Sequence, residues 1–123
     1  MSWLTNSSTQ PIRDCIVKFN EFQDLARTTR LPTADAIYAI INLPGEVGEL
    51  CSKIAKRRRD MSDKPLDEAY MLGLKKEVGD ILWQLAAICD DHDFTLEECA
   101  EINLGKLKAR EKAGQLQGSG DDR

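Results

Sequence analysis

Apolar residues recur at intervals of three and four through four separate segments of this chain, and no stretch alternates apolar with polar as a half-buried strand does. Such a chain can bury its apolar stripes only by packing helix on helix. The expected fold is therefore all-α, a bundle of four to five helices. The length of 123 residues fits one domain, and a domain of that size buries roughly two-thirds of the surface of its unfolded chain.

Residues 1–10 are polar and expected to be loosely ordered apart from Trp3 and Leu4, and they carry neither the basic start nor the apolar run of a signal peptide. The helical domain is expected over 11–113. Pro11 suits the first turn of helix one. Ile12, Cys15, Ile16, Phe19, Phe22, Leu25 and Ala26 make its stripe, and it ends near Thr29, ahead of Leu31-Pro32. Thr33 is the expected N-cap of helix two. Ala36, Ile37, Ile40, Ile41, Val47, Leu50, Cys51 and Ile54 form that helix's stripe. Pro44-Gly45 predicts a kink or break, with a freed helix N-terminus just before Glu46. The basic run Lys56–Arg59 complements the C-terminal end of the helix dipole.

A loop over 60–66 leads into helix three, from about Asp67 to Cys89, with Leu74, Val78, Ile81, Leu82, Leu85 and Ile88 inside. After a turn at 90–94, Thr95 and Glu98 have the spacing of a capping box. Helix four runs to about Lys112, and Gly114 stops it. Residues 114–123 form a polar tail.

Two acidic pairs interrupt these stripes. Glu46 and Glu49 form an E-x-x-E pair in helix two; Glu77 and Asp80 form an E-x-x-D pair in helix three. Residues three apart project from one helix face. If the two helices lie side by side, four carboxylates converge, and they repel one another unless cations fill the space. Hard oxygen ligands suit Mg²⁺, with Mn²⁺ able to substitute. Any one such pair is more often a solvated face, and Glu49 with Lys53 is an ordinary i,i+4 ion pair. Two pairs, each abutting an apolar stripe and each enclosing a glycine (Gly48, Gly79), are a stronger signal. Glycine in a helix interior costs ~1 kcal/mol against alanine; close helix approach or room for a ligand would explain both. Lys53 shares the face of Glu46 and Glu49, Gln84 that of Glu77, and Trp83 lies three after Asp80. Asn103, Lys106 and Arg110 share a stripe of helix four. Cations, amide and aromatic together make a nucleotide-handling inventory.

The formal net charge of −4 argues against nucleic-acid binding, which usually shows a basic surplus. No run approaches the ~18 apolar residues that span a membrane. Cys15, Cys51, Cys89 and Cys99 show no metal or disulfide spacing and sit in apolar-periodic segments, as reduced core cysteines of a cytosolic protein do. His92 is the sole histidine, which argues against a di-iron bundle built on paired E-x-x-H motifs.

The segments Gly45-Glu46-Val47-Gly48-Glu49-Leu50, Glu77-Val78-Gly79-Asp80-Ile81-Leu82-Trp83 and Asn103-Leu104-Gly105-Lys106-Leu107-Lys108-Ala109-Arg110 resemble the MazG-like branch of the all-α nucleoside triphosphate pyrophosphohydrolases. That family's pattern is E-x-x-E, a spacer (here Leu50–Lys76), E-x-x-D, then N-x-x-K-x-x-x-R. Phe19-Asn20-Glu21-Phe22-Gln23 and the glycine-rich close resemble its short phage or bacterial members. The resemblance spans roughly residues 18–123. It implies hydrolysis of a (deoxy)nucleoside triphosphate to monophosphate and pyrophosphate, in the cytosol of a bacterium or a phage-infected host, for pool adjustment or sanitation. Glu46, Glu49, Glu77 and Asp80 would hold Mg²⁺, and Glu46 or Glu49 would activate water. Lys53, Lys106, Arg110 and Asn103 would bind phosphates. Asn20, Gln23 and Trp83 would meet the base or sugar. A dimer or tetramer is implied too. A bundle that senses nucleotide without hydrolysing it, or a helical interaction module with solvated acids, is the rival; the intact quartet argues against both.

Overall fold

The computed structural model describes residues 17–117 as four helices: α1 (Phe19–Thr28), α2 (Ala36–Met61), α3 (Glu68–Asp91) and α4 (Leu96–Lys112). The described residues contain no strand, as the three-and-four spacing requires. The polar segment 1–10, the expected first turns of helix one at Pro11, Ile12, Cys15 and Ile16, and the end of the tail lie outside the described residues.

Most helix ends follow from the side chain or backbone geometry that satisfies them. Asp67 caps α3 by accepting from the Tyr70 amide at 2.7 Å. Thr95 and Glu98 make the expected capping box on α4. Asp35, rather than Thr33, caps α2, accepting from the Tyr38 amide at 2.9 Å. Thr33 is held in the preceding turn, where the Ala34 amide bonds back to the Leu31 carbonyl. At the C-terminal end of α4, Gly114 takes φ 68°, and the amides of Gly114 and Gln115 return to Glu111 and Arg110. Asp93 does the same for α3 at φ 58°, with the Phe94 amide returning to Cys89. Aspartate is one of the few side chains that visit this region. Lys18 is extended (φ −90°, ψ 160°), so α1 starts at Phe19 and does not continue unbroken from Pro11.

Pro44 neither breaks nor ends α2, which is assigned as one helix across it. Proline removes the amide that would reach the Ile40 carbonyl, at about 3 kcal/mol in a helix interior. The long contact of α2 against α3, the most extensive in the fold, compensates for that loss. No freed helix N-terminus precedes Glu46.

α2 and α3 form an antiparallel hairpin: Lys53 meets Glu77, and Glu46 meets Asp80. Arg57 fastens its closed end, lying 4.8 Å over the Tyr70 ring and donating to the carbonyls of Lys64 and Pro65. α1 crosses onto α3 and α4. Its end is tied to the end of α3 by two forked ion pairs, Arg27 on Asp90 and Arg30 on Asp91.

The core is small. Ala26, Ala86, Cys89 and Leu96 are buried together, with Phe22, Leu82 and Trp83 packed around them. The isoleucine stripe expected to bury α2 instead faces outward, with Ile37 and Ile41 66% and 69% exposed. The side of α2 turned to α3 carries Ala39, Glu46 and Lys53. Cys89 is a buried free thiol as expected, pushed up to about 11 by burial and by the neighbouring Cys99. Cys51 and Cys99 are exposed rather than core.

Candidate metal centre

Glu46 on α2 and Glu77 and Asp80 on α3 converge, each offering a carboxylate oxygen within 4.8 Å of the others. The i,i+3 spacing sets the two α3 acids on one face, and the antiparallel hairpin brings Glu46 opposite. Glu46 and Glu77 are half-buried, and Asp80 lies at the open edge. Burial, then repulsion from Asp80, pushes the Glu46 carboxyl above its ordinary range, against the pull of a hydrogen bond from Asn42. Asp80 is raised as well, by desolvation and then by Glu77. Carboxylates raised by burial and by one another form a site short of positive charge.

Two side chains brace the cluster. Asn42 Nδ2 donates to Glu46 Oε1 at 3.1 Å. Lys53 Nζ lies 3.2 Å from Glu77 Oε1. Lys53 fits because position 73 is glycine: a Cβ there would lie 3.0 Å from Nζ. Asn42 is signalled in the sequence by its place four residues before Glu46. Gly73 carries no such signal, because its reason lies on the other helix.

Glu49 is exposed and stands outside the three-acid convergence, although its charge acts on Glu46. Gly48 and Gly79 have open space where a Cβ would stand, so close helix approach within the chain does not account for them. On α4, Asn103 is exposed, Lys106 half-buried and Arg110 buried; the helix packs on α1 and α3. Trp83 sits one turn beyond Asp80, packs on the core and donates from Nε1 to Thr29 Oγ1 at 2.8 Å.

Asn20 and Gln23 are engaged elsewhere. Asn20 donates to Glu97. Gln23, only 3% exposed, donates to Asp90 Oδ1 and the Phe94 carbonyl and accepts from the Leu96 amide. Asp90 is ten residues beyond Asp80, about 15 Å along the helix. In one chain these two amides join α1 to the end of α3 and the start of α4.

The donor set is three hard oxygen carboxylates with one adjacent ammonium, which fits a hydrated divalent cation of the Mg²⁺ class. The MazG nucleotide pyrophosphohydrolase domain family matches residues 38–114, a span that holds all four acids and the α4 stripe. The Gene 37 protein of Mycobacterium phage L5 is 36% identical over 86 residues, covering 70% of this chain and 75% of that protein. No solved structure matches.

Proposed function

The chain belongs to the MazG nucleotide pyrophosphohydrolase family, and on that premise we propose that it hydrolyses (deoxy)nucleoside triphosphates to monophosphate and pyrophosphate with Mg²⁺. The observation that carries this reading is the convergence of Glu46, Glu77 and Asp80 within 4.8 Å, braced by Asn42 and Lys53. When bound, the ion offsets negative charge developing on the triphosphate oxygens.

The chain's own groups do the rest. Glu46, Glu77 and Asp80 supply the ligand oxygens. Glu49, one turn from Glu46 and turned to solvent, orients the attacking water and takes its proton. Lys53 bridges the acids and the phosphates, since its ammonium already lies at the cluster's edge. Lys106 and Arg110 add phosphate contacts from α4, with Asn103 beside them; the guanidinium suits two-point contact. Trp83, one turn from Asp80, offers a ring face for the base. Asn20 and Gln23 reach a base or sugar only by exchanging their present partners.

The working form is a homo-oligomer. Among the described residues no large side chain is fully buried in the single chain, while Ile37, Ile40 and Ile41 on α2 and Ile102 and Leu104 on α4 stand exposed. Sedimentation at micromolar concentration is expected to show a dimer or tetramer; a monomer contradicts this part. No described helix is long and apolar enough to cross a membrane. The reaction suits the cytosol of a bacterium or an infected host, adjusting or cleansing the nucleotide pool.

Chromatographic analysis of the products from a panel of ribo- and deoxyribonucleotides tests the reaction. Monophosphate with pyrophosphate is expected. Diphosphate with inorganic phosphate, or no turnover by folded protein, contradicts it.

A further inference from the structure

Gln84 is 3% exposed, and its amide oxygen is the buried side-chain polar atom left without a hydrogen-bond partner among the described residues. Its neighbours on α3, Ala86 and Ala87, are buried too, so an apolar side chain would suit the position without any desolvation cost. A buried carbonyl oxygen with no donor is unfavourable, and most such groups in native proteins have a partner.

Its place says where that partner stands. Gln84 follows Asp80 by four residues and Glu77 by seven, so the three share one face of α3. Helix side chains lean toward the helix N-terminus, so Gln84 reaches back over the turn that carries Asp80. In the antiparallel hairpin, the level one turn beyond Asp80 on α3 is the level one turn before Glu46 on α2, where Asn42 sits. Asn42 has already given an amide proton to Glu46. A buried acceptor thus stands one turn along α3 from a cluster of acceptors, and none of the described residues donates to it.

Resting on the reading that the three acids hold a divalent cation, we infer that Gln84 is a positioning residue of that site, its buried amide oxygen accepting a hydrogen bond from the ion's hydration shell. Mg²⁺ gives up its waters reluctantly and usually keeps several, and water polarised by a cation is a strong donor. Gln84 would then help position the hydrated ion from α3, as Asn42 positions Glu46 from α2. Outer-shell partners of this kind commonly change metal affinity by roughly 10–100-fold.

Calorimetric titration of Mg²⁺ and Mn²⁺ into the full chain, in its native form and as Gln84→Met and Gln84→Glu, tests this. Metal-free thermal melts run alongside as the control for folding. Gln84→Met is expected to weaken ion binding roughly 10–100-fold, with its metal-free melting temperature unchanged or raised. Gln84→Glu keeps the acceptor and is expected to hold native affinity or better. Native-like affinity in Gln84→Met overturns the inference, as does a folded Gln84→Glu that has lost affinity. If Gln84→Met does not fold, the Gln84→Glu result decides. Native protein that binds neither ion removes the cation reading itself, and this inference with it.

Discussion

Lys53 Nζ reaches Glu77 Oε1 at 3.2 Å through the gap that Gly73 leaves on α3. One helix thus gives up a side chain so that the other can lay an ammonium beside the acids. Gly73→Ala pushes only the flexible tip of Lys53, and alanine gains up to ~1 kcal/mol of helix propensity. Denaturant unfolding is expected to show stability unchanged or slightly raised. Triphosphate hydrolysis is expected to lose roughly tenfold in kcat/KM, the scale of one charge-assisted hydrogen bond. Native activity in both Gly73→Ala and Lys53→Ala removes Lys53 from the phosphate-binding set.

With the acids holding a divalent cation as proposed, stability is expected to depend on pH and on metal. Glu46 and Asp80 are raised above their ordinary values of 4.5 and 3.8, so the folded chain binds these protons more tightly than the unfolded one. Their contribution is therefore full below those values and is lost as pH rises through the raised ones. Mg²⁺ binds the deprotonated form, so its stabilising effect grows across the same window. Thermal melts from pH 4 upward, with and without Mg²⁺, are expected to diverge as pH increases. Parallel curves contradict the site.

Asp90 behaves in the opposite sense. Burial works to raise it, but hydrogen bonds from Arg27 and Gln23 win and hold it below its ordinary 3.8. Its contribution is present above that value and is lost as pH falls through the lowered one. Asp90→Asn is expected to cost about 1 kcal/mol at neutral pH, with the difference from native shrinking toward zero in strong acid. A cost that does not change with pH shows that the charge is not what ties α1 to α3.

The four helices were legible because apolar spacing of three and four, the Thr95–Glu98 box and Gly114 act within a few residues of chain. The meeting of Glu46 with Glu77 and Asp80 was legible for a related reason: each acid's face is set by its own helix, and a short loop forces the hairpin. What escaped was set by tertiary contact. Pro44 reads locally as a break but is carried by the α2–α3 contact. The isoleucines of α2 read as its core face, yet the hairpin is closed by Ala39, Glu46 and Lys53. Gln23 reads as an available amide, but its partners lie some seventy residues away, at the end of α3, in the turn after it and at the start of α4.

The most direct measurement is pyrophosphate release from a mixture of deoxynucleoside triphosphates, with and without Mg²⁺, by the native chain and by Glu46→Gln and Asp80→Asn. Losing several kcal/mol of charge stabilisation corresponds to a fall of roughly 100-fold or more. Release is expected to require the ion and to fall by at least that factor in both variants, with folding intact. Release that persists without a divalent ion, or that survives both substitutions, contradicts the claim that these acids form the working site.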